Sequence, residues 1–234
     1  AAGLRGSSAV PKTSMSSAQQ ATSTHSEETG ERLGKWASLT DWARAKGEVI
    51  LGPITRVLAS LGVHPNTITI VGFLLQVGVG IVFGLGRIQL GGLLLVLVAP
   101  VDALDGALAR ATGRKTRFGA FLDSTLDRLS DAALILGLVA HHIKQGSATL
   151  TALMLVSLVA AMLVSYIRAR AESLGFTCKR GLLTRMERVA LIAILAALGQ
   201  PDILAWALCV LSLITVVQRF VHVYASSRSG NQAS

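Results

Sequence analysis

Val101-Asp102-Ala103-Leu104-Asp105-Gly106-Ala107-Leu108-Ala109-Arg110, then eight residues, then Gly119-Ala120-Phe121-Leu122-Asp123-Ser124-Thr125-Leu126-Asp127-Arg128-Leu129-Ser130-Asp131, is the stretch on which the reading of this chain turns. Five of the thirteen acidic residues fall in it, although its surroundings are apolar enough to be membrane-embedded. At 3.6 residues per turn, Asp102 and Asp105 share one helix face, and Asp123, Asp127 and Asp131 share another. A carboxylate inside a bilayer costs about 2.5 to 3.5 kcal/mol even on insertion scales, so several together need compensation. Hard divalent cations with oxygen ligands provide it most simply, and four carboxylates suit a pair of Mg²⁺ or Mn²⁺ ions. Ion pairing with Arg110, Arg114 or Arg128 is the plainer alternative. A proton relay would need acids strung across the bilayer, whereas these gather beside a basic loop at one end.

Composition agrees with a membrane protein. Of 234 residues, 51% are hydrophobic and only 15% charged, against roughly 25% charged in an ordinary soluble domain. The net charge of +9 points to anionic lipid headgroups or phosphorylated substrates as partners, and nucleic acid is not expected. Two cysteines, Cys178 and Cys209, exclude a disulfide framework.

Working outward, residues 1–34 are rich in Ser, Thr, Ala and Gln, lack the apolar centre of a secretory signal, and are expected to be a disordered tail. Residues 35–65 place Ile50, Ile54, Leu58 and Leu61 at three- and four-residue steps, which predicts an amphipathic helix at the membrane surface. A six-helix membrane domain over 66–225 follows, then a short tail over 226–234. Its spans are expected near Asn66–Leu85, Leu90–Arg110, Gly119–Ala140, Ala148–Arg168, Leu183–Leu198 and Ile203–Tyr224, judged against the roughly 20 apolar residues that cross a bilayer.

Basic residues test this order independently. Arg110, Arg114, Lys115 and Arg117 lie between the second and third spans; Arg168, Arg170, Lys179, Arg180, Arg185 and Arg188 lie between the fourth and fifth. The opposite connections hold Arg87 and Lys144. The expectation is a multi-pass protein of the cell membrane, with both termini and both basic loops in the cytoplasm. Gly106 and Gly119 leave the backbone bare beside the acids, giving a bulky ligand room.

The same residues resemble the signature of the CDP-alcohol phosphotransferase family, DxxDGxxAR followed by GxxxDxxxD, at every defining position. The resemblance covers about Leu39 to Tyr224. It implies a six-helix membrane fold, usually a homodimer, that transfers a CDP-linked substituted phosphate to an alcohol and releases CMP. It further implies Asp102, Asp105 and Asp123 as metal ligands, with Asp127 as general base and a further metal contact. Asn66, Thr67, Ile68, Thr69, Gly106, Arg110 and Thr116 match positions that contact the CDP-lipid. Physical reasoning agrees: two Mg²⁺ ions, or Mn²⁺, would neutralise the diphosphate. Asp127 lies one turn beyond Asp123, within reach of an attacking hydroxyl. No residue stands out as a covalent nucleophile, so direct displacement is expected.

A second set, Ser165-Tyr-Ile-Arg168-Ala-Arg170-Ala-Glu172, Arg185-Met-Glu187-Arg188 and Gln218-Arg219, resembles the bacterial phosphatidylinositol phosphate synthases. That resemblance implies CDP-diacylglycerol as donor and inositol 1-phosphate as acceptor, with Ser165, Arg168, Arg188 and Arg219 holding the acceptor phosphate. Arg168 and Met186 depart from it, since relatives often carry Lys and Pro there. Arg170 and Arg185 are expected to pair with Glu172 and Glu187. The rivals are a phosphatidylglycerophosphate synthase using glycerol 3-phosphate, an enzyme acting on an archaeol lipid, a catalytically silent membrane scaffold and, from another class, a cation transporter. His141, His142 and His222 are expected to pack near span ends, Trp36, Trp42 and Trp206 to anchor at the interface, and His64-Pro65 to cap the first span.

Overall fold

The computed structural model describes residues 52–176, Cys178 and residues 181–230, and every regular element among them is helical. The predicted tail over 1–34 and most of the amphipathic segment over 35–65 lie outside the described residues. Residues 52–60 are helical and form α1. The helices that follow are α2 (Pro65–Gly84), α3 (Ile88–Val98), α4 (Val101–Ala111), α5 (Arg117–Lys144), α6 (Ala148–Ser173), α7 (Arg185–Ala197) and α8 (Pro201–Gly230). Each predicted span coincides with one of these helices or with a pair of them. α8 continues through Gly230, so residues 226–230 extend the last helix and do not form a tail.

Local chemistry sets the boundaries. His64 caps α2, its Nδ1 accepting from Asn66 N at 3.2 Å, and Pro65 follows at the first helical position, where a missing N–H costs nothing. Thr116 caps α5 by accepting from Gly119 N at 2.9 Å, and Ser147 caps α6. The second predicted span is interrupted: Pro100 has no N–H to continue the ladder, and the helix breaks there into α3 and α4.

Among the described residues, four helical stretches are long and apolar enough to cross a membrane: α2, α3 with α4 together, α6, and α8 from Pro201 to Arg228. α5 has 28 residues, but its stretch up to Asp131 carries Asp123, Asp127, Arg128 and Asp131. α7 has 13 residues, which at about 1.5 Å each fall short of a 30 Å hydrocarbon core. Many large apolar side chains are left exposed, among them Leu74, Ile81, Leu97, Val159, Ile194 and Val217. Such a surface suits lipid and not water, so the chain is a membrane protein.

α2 packs on α5, α6 on α8 and on α5, α3 on α7 and α2, and α7 on α8, with α4 against α2. The closest crossing joins α2 to α5. A Cβ on Gly137 would lie 2.0 Å from Gly80 O, and one on Gly80 would lie 2.5 Å from Ala133 O. Only glycine permits that approach, the usual means of helix contact where no hydrophobic force acts between helices. Gly92 plays the same part between α3 and α7, where a Cβ would meet Ala197 N at 2.2 Å. The core beyond these crossings holds Phe83, Leu95, Leu134, Ile135, Leu138, Met154, Ile192, Leu204 and Leu208.

Candidate active site

The α2–α5 crossing and the packing of α4 on α2 bring the two acidic segments together near the connection between α4 and α5. α2 supplies polar partners. Thr69 Oγ1 donates to Asp105 Oδ2 at 2.6 Å, and Gln76 Nε2 donates to Asp102 Oδ2 at 2.7 Å. Asp105 is buried, and its own helix helps it, since Gly106 N donates to Oδ1. Gly72 makes room on α2, because a Cβ there would stand 3.0 Å from Asp102 Oδ1.

A single cation ties the two segments. Arg185 Nη1, from the start of α7, lies 2.7 Å from Asp102 Oδ2 on α4 and 2.9 Å from Asp127 Oδ1 on α5. The expected pairing of Arg185 with Glu187 is therefore wrong: Glu187 accepts instead from Thr184 Oγ1, and Arg185 reaches across to the acids. Arg170 likewise does not take Glu172. Arg168 Nε does, at 2.9 Å one turn away on the exposed face of α6. Asp131, buried, pairs with Arg188 Nη2. Among the described residues no ion pair joins the acids to Arg110, Arg114 or Arg128; Arg128 donates to the Ser124 carbonyl.

Among the described residues no three His, Cys, Asp or Glu side chains are drawn together tightly enough to enclose a metal as they stand. The donor set nevertheless fits a hard divalent ion. It is all carboxylate oxygen, and one cationic nitrogen already reaches oxygens from both helices. Asp102, Asp105, Asp123 and Asp127 are the residues that would hold it.

Beside the acids lies a cavity of about 440 Å³, lined among others by Asp127, Ser165, Arg185, Arg188 and Arg219. Arg188 is 1% exposed and Arg219 3%. Arg219 Nη1 donates to Val164 O at 2.6 Å, but its Nε has no partner, nor do Nε and Nη1 of Arg188. Buried N–H groups without acceptors are costly, and several in one cavity await an anion with many lone pairs. The segment just before α7 is tied to α8 by Leu182 N donating to Gln218 Oε1 and Leu183 N to Thr215 Oγ1, at 3.1 and 3.0 Å. Thus Ser165, Arg188 and Arg219 converge as predicted from sequence, while Arg168 lines the same cavity with its charge already engaged by Glu172.

The residues matched to the CDP-lipid do not line that cavity. A Cβ on Gly119 would sit 3.0 Å from Thr116 Oγ1 and 3.1 Å from Asn66 Oδ1, so these three adjoin. A Cβ on Gly106 would meet only Arg110 Nη1, at 3.4 Å. Thr69 touches Asp105, Thr67 is exposed, and Ile68 is buried in the packing of α2. Sequence reading missed Gln76, whose signal was an isolated amide in the apolar run of α2. It also missed the role of Arg185, for which no local signal existed.

Comparison with known proteins bears on this geometry. The chain is 41% identical over 177 residues to the archaetidylinositol phosphate synthase of Pyrococcus horikoshii, covering 75% of this chain and 92% of that one. It is 39% identical over 187 residues to the phosphatidylinositol phosphate synthase of Corynebacterium glutamicum, covering 76% and 85%. The crystal structure of the Mycobacterium tuberculosis phosphatidylinositol phosphate synthase with CDP-DAG bound superposes with a TM-score of 0.70 at 35% identity, over 75% of this chain and 94% of that one. The same enzyme in complex with manganese and citrate gives 0.69 at 34% identity, over 74% and 88%. The CDP-alcohol phosphatidyltransferase profile matches residues 62–218, which include both acidic segments and, of the cavity arginines, Arg185 and Arg188, ending one residue before Arg219, and the chain is a transferase belonging to that family.

Proposed function

We propose that this protein transfers the phosphatidyl group of CDP-diacylglycerol to inositol 1-phosphate, giving phosphatidylinositol phosphate and CMP. The observation that carries the acceptor is the set of unpartnered N–H groups on Arg188 and Arg219 in the cavity beside Asp127. A hydroxyl alone cannot satisfy them, whereas a phosphate offers enough oxygens and a matching charge. The names of the relatives support the same choice.

In this reading Asn66, Thr67, Ile68, Thr69, Gly106, Arg110 and Thr116 hold the CDP-lipid on one side of the acids, and Ser165, Arg188 and Arg219 hold the acceptor phosphate on the other. The acceptor hydroxyl is thereby aimed at the phosphorus between them. Asp127 takes its proton, and a separation of one turn from Asp123 leaves it free to do so. Fixing both reactants in one orientation supplies much of the rate. Two Mg²⁺ ions bound by Asp102, Asp105, Asp123 and Asp127 supply charge neutralisation of the diphosphate, and Mn²⁺ serves as well, in keeping with the manganese complex of the mycobacterial relative. α5, whose acids turn inward to a polar site, and the shorter α7 join the four longer apolar stretches as the remaining membrane helices of the six. The enzyme works as a homodimer in the cell membrane with this site facing the cytoplasm, where basic loops accumulate.

The test is CMP release by purified protein from CDP-diacylglycerol and Mg²⁺ with inositol 1-phosphate, glycerol 3-phosphate, inositol or serine. Release with inositol 1-phosphate and none with free inositol or serine is expected. Preference for glycerol 3-phosphate would replace the acceptor, and no release with any phosphorylated polyol would overturn the reading.

A further inference from the structure

Arg185 touches both halves of the site. Its Nη1 stands between Asp102 and Asp127, at 2.7 and 2.9 Å. Its Nε lies 3.8 Å from Asp131 Oδ1, has no hydrogen-bond partner, and belongs to a side chain that also lines the cavity of Ser165, Arg188 and Arg219. The guanidinium is thus incompletely satisfied where it stands, and a second set of positions is open to it within the same cavity.

We propose that Arg185 couples metal loading to acceptor binding: it is the counter-ion of Asp102 and Asp127 until a divalent cation takes those carboxylates, and then turns to the acceptor's phosphate. This rests on the acceptor reading above. A guanidinium within 3 Å of both carboxylates competes with any dication for the same oxygens, and Coulomb repulsion forbids both together in a medium of low dielectric. Released, Arg185 joins Arg188 and Arg219, and its planar fork can meet two phosphate oxygens at once. If Arg185 were only a strut fixing α7 to α4 and α5, the two ligands would not communicate through it. Coupling between sites is reciprocal, so the acceptor must also tighten the metal.

The experiment uses the purified full chain without CDP-lipid, so that nothing turns over. Mn²⁺ binding is read from the loss of the free-ion paramagnetic resonance signal. Inositol 1-phosphate binding is read by calorimetry with and without Mn²⁺, with inorganic phosphate as a second probe. In the wild type Mn²⁺ is expected to tighten inositol 1-phosphate by about tenfold, within the usual span of coupling energies. Arg185→Gln should bind Mn²⁺ alone more tightly than wild type, bind inositol 1-phosphate more weakly, and lose most of the coupling. Arg185→Lys should recover part of it. Undiminished coupling in Arg185→Gln would show that metal and phosphate communicate by direct contact and would overturn the proposal, as would unchanged or weaker Mn²⁺ binding. Wild-type binding of inositol 1-phosphate that ignores Mn²⁺ sinks the coupling and leaves the acceptor reading standing. No binding of either probe under any condition sinks the acceptor reading itself. Should Arg185→Gln fail to fold, Arg185→Lys decides: coupling below wild type supports the proposal, and wild-type coupling overturns it.

Discussion

Arg188 donates through Nη2 to Asp131 Oδ2, with side chains 1% and 3% exposed, so that an arginine of α7 and an aspartate of α5 form an ion pair almost wholly removed from solvent. Removing one partner of such a pair leaves an uncompensated buried charge and costs about 3 to 5 kcal/mol, whereas replacing both with apolar groups costs far less. Asp131→Leu is expected to lose that much stability in a detergent unfolding titration, and adding Arg188→Leu should restore most of it. The double variant should still fail to bind inositol 1-phosphate, which separates the structural role of the pair from the proposed use of the remaining N–H groups of Arg188.

Asp127→Asn keeps the shape and removes the proposed base. A positioned general base contributes about 10² to 10⁴ in rate. The expected result is a fall of that size in kcat, with the KM for either substrate moving little, measured by CMP release at saturating Mg²⁺.

Chelation should stop the reaction. With EDTA present CMP release is expected to vanish, and Mg²⁺ or Mn²⁺ in excess should restore it. Asp105→Ala should remain inactive at any concentration of either ion, since it removes a proposed ligand that Thr69 and Gly106 hold in place.

Arg219→Ala should act on one substrate only. A hydrogen bond to a charged group contributes about 1.5 to 3 kcal/mol, which corresponds to a rise of roughly ten- to hundredfold in the KM for inositol 1-phosphate. The KM for CDP-diacylglycerol should stay near wild type. Equal effects on both would place Arg219 outside the acceptor pocket.

Gly137→Ala tests the helix crossing. Its Cβ would lie 2.0 Å from Gly80 O, so α2 and α5 must separate. Overpacking of this kind costs about 1 to 3 kcal/mol. A lower midpoint in thermal unfolding is expected, accompanied by a loss of activity larger than the loss of folded protein, because Thr69 and Gln76 of α2 would withdraw from Asp105 and Asp102.

Much of the site was legible in sequence because its signals are local. The spacing of Asp102, Asp105, Asp123, Asp127 and Asp131 sets their faces by helix geometry alone, and His64-Pro65 and Thr116 mark helix starts by their own chemistry. Arg185 was misassigned because local proximity to Glu187 lost to a tertiary attraction. Three aspartates on two other helices outweigh one glutamate that already accepts from Thr184. Arg168 was the reverse case, since its neighbour Glu172 one turn on was visible, but the pairing was given to Arg170. The break at Pro100 had a signal in the proline itself, which a reading for apolar length alone passed over. The meeting of Gly80 with Gly137 lies across two connections, and no short-range pattern announces it.

α5 changes character at Asp131. Beyond it Leu134, Ile135 and Leu138 are sealed into the core against α2 and α6. In the proposed reading, an ion held by the aspartates has packed hydrocarbon beyond Asp131, so the acids form a berth closed on that side and not a stage along a passage through the bilayer.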